Sequence, residues 1–158
     1  VTRTQGLALA ALVADCVPIL LADASAGVVG AVHSGRPGFL AGIVDRAVDA
    51  MRDLGAGAIE AVVGPSICGR CYELPADLVL AGAAIAPASA AVSWTGTPAM
   101  DVAAGVVARL ADRGVGVRWL PGCSREDDTL YSYRRDGTTG RYAGLVWMSA
   151  TTPEAAGS

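Results

Sequence analysis

Short apolar runs separated by single acidic or glycine residues make up the beginning of the chain. These runs cover residues 7–13, 17–22 and 28–32, and Asp15, Asp23 and Gly27 lie at the breaks between and around them. Apolar runs of this length, bounded by turn-forming residues, are typical of buried strands. We therefore predict three buried strands in this part of the chain.

The pattern changes to a helical period at Leu40. Apolar residues on one face are Leu40, Ile43, Val44, Ala47, Val48, Met51 and Leu54. Charged residues on the other face are Asp45, Arg46, Asp49, Arg52 and Asp53. Apolar positions repeating every three or four residues opposite a charged face predict an amphipathic helix, and Gly55 is placed to end it.

The rest of the chain alternates between strand and helix patterns. Strands are predicted at 58–63, 115–120 and 143–148, and helices at 76–84 and from 102 to near Gly114. Pro75 suits the start of the first of these helices, and Asp101 is a candidate cap for the second. The small and polar tail at 149–158 is predicted to be disordered.

Composition favours one domain, which we place at residues 1–148 of the 158. Apolar residues make up 53% of the chain but aromatic residues only 5%, so we expect a core of closely packed Val, Leu, Ile and Ala. A net charge of −3 without a basic run argues against a nucleic-acid partner and favours small molecules.

No segment of the sequence predicts a membrane helix. The longest uncharged stretch, residues 78–100, is interrupted by several Gly and Pro residues. Without a recognisable secretion signal, the expected location is the cytoplasm, where the four cysteines would be free thiols.

The single histidine is the first candidate for chemistry. His33 follows the third apolar run, whereas Asp15 and Cys16 lie between the first two. A thiol, an imidazole and a carboxylate at neighbouring strand ends are suitable donors for a metal such as zinc. A lone histidine is more often a structural residue, so both interpretations remain open on these residues alone.

Arginine, hydroxyl and glycine residues are concentrated at 123–141. Guanidinium groups bind oxyanions bidentately, and glycines let backbone donors approach a ligand, so this segment is a candidate phosphate or ribose site. The alternative, which composition alone favours, is a solvated loop whose arginines pair with its own carboxylates. Those carboxylates are Glu126, Asp127, Asp128 and Asp136.

Four motifs, in order along the chain, resemble one known family. They are Ala-Asp-Cys-Val-Pro-Ile-Leu-Leu-Ala-Asp at 14–23, Ala-Val-His-Ser-Gly-Arg-Pro-Gly at 31–38, Gly-Pro-Ser-Ile with Cys-Tyr-Glu at 64–73, and Tyr-Ser-Tyr-Arg-Arg with Thr-Gly-Arg at 131–141. The chain resembles the YfiH family, formerly labelled multicopper polyphenol oxidase or laccase-domain. The resemblance implies an α+β fold, a mixed β-sheet sandwich covered by helices, and a zinc-dependent purine nucleoside phosphorylase with adenosine deaminase activity.

The resemblance also implies which residues act. Cys16 and His33 would bind zinc, and Asp15 would act beside them, although a carboxylate there can equally cap the local backbone. The partners would be a purine nucleoside and phosphate, with Arg36, Arg134, Arg135 and Arg141 as phosphate-binding candidates. Copper, the historical alternative, fits poorly because several copper sites need many histidines and the chain has one.

Two departures from the family pattern affect the expected site. The family takes a further histidine ligand from a segment that would precede Val1, so we expect the chain to be a fragment or its start to be misassigned. Otherwise Cys68, Cys71, Cys123 or an acidic residue would complete the site, or the site would be inactive. With two ligands, zinc binding would be weak. Arg36-Pro37 also replaces the usual Trp-Arg.

Cys68 and Cys71 support an alternative function of another class. A CxxC pair is typical of a redox dithiol or of half a structural zinc site, and Cys16 and Cys123 would complete a four-thiolate cluster. By resemblance to the family, both cysteines lie in a variable loop. A noncatalytic homologue that binds a partner is a third alternative.

Overall fold

A computed structural model describes residues 1–149 of the chain. The strands are β1 (Leu9–Val13), β2 (Val17–Asp23), β3 (Val28–Ser34), β4 (Glu60–Val63), β5 (Ala90–Val92), β6 (Pro98–Met100), β7 (Gly116–Trp119) and β8 (Tyr142–Val146). The helices are α1 (Arg36–Leu40), α2 (Ile43–Asp53), α3 (Ala76–Ile85), α4 (Val102–Asp112) and α5 (Tyr133–Asp136). This mixture of separate helices and open sheets confirms the α+β class.

A four-stranded mixed sheet in the order β3-β2-β4-β7 forms the centre of the fold. β2 is antiparallel to both of its neighbours, whereas β4 and β7 are parallel. Side chains of a strand alternate between faces, and the buried Val17, Ile19 and Leu21 of β2 share the face that joins the main core. That core contains residues of α2 and α4, so these helices cover this face.

The β1–β8 ribbon lies against the other face. Leu20 of β2 points there, and its Cδ2 would be 3.1 Å from a side-chain carbon added at Gly144 of β8. Glycine at this position leaves room for the close approach of β8 to Leu20. The predicted buried strand at 7–13 is only partly buried: Leu12 is 57% exposed because β1 pairs with β8 alone and has one free face.

The predicted helix from Leu40 to Leu54 is wrong at its beginning. α1 starts at Arg36, where Pro37 suits a first helical turn, and it ends before Gly42. Gly42 has a left-handed conformation with φ of 75°, and α2 begins after it. Two helices separated by Gly42 replace one, and Phe39 from α1 is buried in the core.

The later elements follow the sequence pattern with two exceptions. Asp101 caps α4 as predicted, since its Oδ1 accepts a hydrogen bond from the Ala104 backbone N–H at 2.8 Å. The segment at 90–100, where the sequence pattern predicted no strand or helix, forms the antiparallel β5–β6 pair. The short helix α5 was also unpredicted, and it is capped by Ser132.

The structure does not test two of the sequence predictions, the domain bounds and the disordered tail. The placement of a single domain at 1–148 stays a prediction. Residues 150–158, most of the tail predicted to be disordered, lie outside the described residues. Within residues 1–149, no helix is long and apolar enough to cross a membrane.

Candidate active site

A cavity of about 620 Å³ opens where the β1–β2 turn, the end of β3 and the arginine-rich loop meet. Its polar lining comes from Asp15, Cys16, His33, Ser34, Arg36, Arg134 and Arg141. Its apolar and aromatic lining includes Ile67, Tyr72, Val102 and Tyr133. Six of the seven residues predicted for the site therefore line one pocket.

The β2–β3 hairpin brings Cys16 and His33 together. Pro18 pairs with His33 across the hairpin. Cys16, just before β2, therefore lies opposite Gly35, just after β3, and close to His33. A side-chain carbon added at Gly35 would lie 2.8 Å from Cys16 Sγ and 3.9 Å from His33 Nε2. The thiol and the imidazole thus converge on one space, which glycine leaves open.

The Asp15 carboxylate connects this hairpin to the arginine-rich loop. Its Oδ1 accepts hydrogen bonds from the hydroxyls of Ser124 and Ser132, each at 2.7 Å. Its Oδ2 accepts from the Arg134 backbone N–H at 2.6 Å. Asp15 has a left-handed conformation with φ of 79°, which Asp tolerates better than most residues. The structure therefore places Asp15 as an anchor for the loop at the edge of the pocket.

The charged residues near Cys16 shift the pKa of its thiol in opposite directions. Burial and the neighbouring Asp15 carboxylate raise the pKa of the Cys16 thiol, whereas the Arg141 guanidinium lowers it. At neutral pH the thiol therefore holds its proton. A bound cation would favour the thiolate.

Three of the predicted arginines line the pocket. The Arg134 guanidinium lies over the Tyr72 ring, 5.0 Å from its centroid, and donates to the Glu73 carbonyl at 3.3 Å. Arg141 donates to the carbonyls of Thr139 and Gly140. Arg36, in the first turn of α1, faces the same cavity.

Arg135 is placed differently. Its guanidinium donates to the carbonyls of Ser124 and Leu130, each at 2.9 Å, and pairs with Asp136. These contacts fold the loop on itself, and Arg135 is outside the pocket lining. The predicted pairing of arginines with the loop's own carboxylates thus holds for Arg135 and leaves Arg134 and Arg141 facing the pocket.

The other three cysteines lie apart from this pocket lining. Cys68, Cys71 and Cys123 form a cluster with Glu126, in which the ligand atoms lie within 4.8 Å of one another. Cys16 is not part of this cluster, so the alternative of a four-thiolate cluster is wrong in one ligand, whose place is taken by Glu126. The sequence pattern indicated the CxxC pair but gave no signal for Glu126.

The pocket residues fit part of a zinc donor set. A thiolate and an imidazole that converge on one space are preferred zinc ligands, and catalytic zinc takes three protein ligands. Within residues 1–149, the only cluster of three or more suitable donors is the one at Cys68, Cys71, Cys123 and Glu126. Cys16 and His33 would supply two of the three.

The fold and the pocket define an α+β protein with a thiol, an imidazole and several guanidinium groups around one cavity. Comparison with known proteins gives its family. The family model described as multi-copper polyphenol oxidoreductase laccase matches residues 1–149. The chain belongs to this family, which includes the YfiH proteins that its motifs resemble.

Curated relatives carry a more specific name. A purine nucleoside phosphorylase from Streptomyces coelicolor is 54% identical over 151 residues, covering 94% of this chain and 62% of the relative. Purine nucleoside phosphorylase YfiH from Shigella flexneri is 36% identical over 153 residues, covering 93% and 62%. The chain thus spans less than two thirds of the length of these relatives.

Solved structures show the same fold. The crystal structure of YlmD from Geobacillus stearothermophilus matches with a TM-score of 0.84 and 29% identity, covering 94% of this chain and 59% of that one. A Neisseria meningitidis protein, NMB0706, matches with a TM-score of 0.78 and 30% identity, covering 90% and 61%.

Proposed function

We propose that this chain provides the active-site pocket of a purine nucleoside phosphorylase. The observation that carries the proposal is that Arg36, Arg134 and Arg141 line the same cavity as Cys16 and His33. The names of the curated relatives support the substrate class, a purine nucleoside together with phosphate.

The electrostatics of the pocket suit a phosphate dianion. Asp15 is the acidic residue among the lining residues, and its carboxylate already accepts three hydrogen bonds from the protein. Three guanidinium groups therefore leave the cavity with excess positive charge. Guanidinium groups recognise phosphate through paired hydrogen bonds, which also orient it.

The reaction requires this orientation. In phosphorolysis a phosphate oxygen forms a bond to C1′ of the ribose while the bond from C1′ to the purine nitrogen breaks. The bonding electrons go to the purine, which takes up a proton, and ribose 1-phosphate forms. Holding phosphate against C1′ makes the step effectively unimolecular. The exposed Tyr133 ring in the pocket lining offers a surface for the purine.

We further propose that Cys16 and His33 would hold zinc, and that the same pocket deaminates adenosine. Zinc bound there would act as a Lewis acid and make water more acidic. In deamination, the oxygen of water forms a bond to C6 of adenine and the bond to the amino nitrogen breaks, releasing ammonia. Asp15 would hold the β1–β2 turn and the arginine-rich loop in a fixed relative position around the reacting atoms.

The test compares two activities in two arginine variants. The 158-residue chain is incubated with adenosine or inosine, with and without inorganic phosphate, and bases and nucleosides are separated chromatographically. We expect base release only with phosphate. Arg141→Ala should reduce phosphorolysis at least about ten-fold, the loss expected for one charged hydrogen bond, and deamination less.

Arg46→Ala is the matched control, because Arg46 is exposed on α2 and outside the pocket lining. It should leave both activities unchanged. Base release that does not depend on phosphate would contradict the proposed phosphorylase. Equal loss of both activities in Arg141→Ala would mean that Arg141 supports the loop rather than phosphate.

A further inference from the structure

A second group of ligand-type side chains lies beside the pocket and has no part in the proposed reaction. One ligand atom from each of Cys68, Cys71, Cys123 and Glu126 lies within 4.8 Å of the other three. Cys71 is buried, and Cys68 and Cys123 are half-buried. Four donor atoms this close together, three of them from thiols, are a suitable donor set for one metal ion.

The parallel pairing of β4 and β7 produces this convergence. Because the two strands are parallel neighbours, the segments that follow them leave the sheet at the same edge. One segment leads to Cys68 and the other to Cys123, and Ser66 and Cys123 still pair as a bridge. The Cys68 backbone N–H then donates to Cys123 Sγ at 3.4 Å.

The local geometry matches a zinc-binding turn. The Cys71 backbone N–H donates to the Cys68 carbonyl at 3.0 Å, which closes the CxxC turn and directs both thiols to the same side. Zinc–sulfur bonds of about 2.3 Å place tetrahedral sulfur ligands about 3.8 Å apart. Separations of up to 4.8 Å therefore need only small side-chain movements to reach that geometry.

The fourth ligand is held in place by its neighbours. Glu126 Oε1 accepts a hydrogen bond from the Trp94 indole N–H at 2.9 Å, and it lies 3.3 Å from Cys71 Sγ. The Arg70 guanidinium lies over the Trp94 ring, 4.4 Å from its centroid. Hydrogen bonds that orient a ligating carboxylate are a regular feature of metal sites.

We propose that Cys68, Cys71, Cys123 and Glu126 bind one Zn²⁺ as a structural site. The four protein ligands complete a tetrahedron and leave no position for substrate, which distinguishes this site from the pocket at Cys16 and His33.

The position of this zinc site gives it a role in shaping the pocket. Tyr72, next to Cys71, lines the pocket beneath the Arg134 guanidinium. Ser124, next to Cys123, donates to the Asp15 carboxylate. Cross-linking the two loops through zinc therefore holds two walls of the pocket at a fixed separation.

A redox function fits the same residues less well. Redox-active CxxC thiols lie in environments that lower their pKa, such as a helix N-terminus. Here α3 begins only at Ala76, so neither Cys68 nor Cys71 lies at a helix N-terminus. A disulfide would also use only two of the three thiols, and it would not account for the close approach of Cys123 and Glu126.

The test uses metal alone as the probe. The 158-residue chain is purified under reducing conditions, stripped of metal and titrated with Co²⁺. We expect one tightly bound equivalent with thiolate-to-cobalt charge-transfer absorption and intense tetrahedral bands, both displaced by Zn²⁺. Cys123→Ser should weaken cobalt binding and lower the charge-transfer absorption per bound cobalt by about a third, whereas Cys16→Ser should change neither. Glu126→Gln should keep the signal and weaken binding about ten-fold.

Thiol alkylation of the unmutated chain gives an independent readout should Cys123→Ser fail to fold. One equivalent of Zn²⁺ should protect Cys68, Cys71 and Cys123 from iodoacetamide, and a chelator should restore their reactivity. Equal alkylation with and without Zn²⁺, loss of the cobalt signal in Cys16→Ser alone, or a Cys68–Cys71 disulfide that persists with Zn²⁺ would overturn the zinc site. None of these readouts involves nucleoside or phosphate, so their failure leaves the phosphorylase proposal untouched.

Discussion

The Asp15 carboxylate accepts a hydrogen bond from the Ser132 hydroxyl at 2.7 Å, across 117 positions of sequence. This contact joins the turn that carries Cys16 to the helix α5 that carries Arg134 and Arg135. Ser132 also caps α5 through its hydroxyl, which accepts from the Arg135 backbone N–H at 3.1 Å. One carboxylate thus positions both the thiol side and the guanidinium side of the pocket.

We expect Asp15→Ala to lower the free energy of unfolding by about 2–3 kcal/mol, since hydrogen bonds to a charged group are lost and donors are left unpaired. Alanine also tolerates φ of 79° poorly. Asp15→Asn keeps the conformation and one acceptor, so it should cost clearly less. Urea unfolding of both variants measures the difference. Equal stability of Asp15→Ala and the unmutated chain would show that the anchor contributes nothing.

Gly35→Ala is expected to disrupt the pocket while preserving the fold. The added methyl group would lie 2.8 Å from Cys16 Sγ and 3.9 Å from His33 Nε2, so the thiol must shift and the space between the two side chains is filled. Phosphate-dependent base release and metal binding at Cys16 should fall together, with the unfolding midpoint little changed. Gly57→Ala is the matched control, because a methyl group there meets open space. Full activity in Gly35→Ala would show that the convergence of Cys16 and His33 is not required.

Local patterns predicted most elements of this fold, because strands, helices and the Asp101 cap depend on nearby residues. The pairing of β1 with β8 and the placement of Glu126 beside Cys71 depend on contacts between residues far apart in sequence. Neither contact produces a periodic pattern of apolar residues in the sequence. Motif resemblance predicts the pocket residues, whereas the different position of Arg135 from Arg134 and Arg141 depends on how the loop folds in three dimensions.

Asp23 is expected to make folding sensitive to acid. The buried carboxylate accepts hydrogen bonds from the Ser25 hydroxyl at 2.6 Å and from the backbone N–H groups of Ala26, Gly57 and Ala58. These contacts, the Ser25 hydrogen bond foremost, hold the pKa of Asp23 far below its usual range. A depressed pKa means that the unfolded chain takes up the proton first, so stability is lost as pH falls below about 4.

Melting temperatures of the unmutated chain and Asp23→Asn between pH 7 and pH 3 check this expectation. The variant should melt lower at pH 7, and the difference should shrink as pH falls. Asp53→Asn, at an exposed position on α2, controls for the change in net charge. A constant difference between the unmutated chain and Asp23→Asn over the whole range would contradict the assignment.

Substitution of Gly105 by alanine tests how tightly α4 packs against α1. A side-chain carbon added at Gly105 would lie 2.6 Å from Phe39 Cζ and 2.9 Å from Ser89 Cβ, both of them buried. Alanine is favoured over glycine within a helix by about 1 kcal/mol, which works against any destabilisation. Overpacking a well-filled core typically costs about 1–3 kcal/mol, and neither Phe39 nor Ser89 can swing into solvent. We therefore expect Gly105→Ala to reduce the free energy of unfolding measured in urea, whereas Gly57→Ala should leave it nearly unchanged. A more stable Gly105→Ala variant would mean that α1 moves freely relative to α4, contrary to the packing of Phe39.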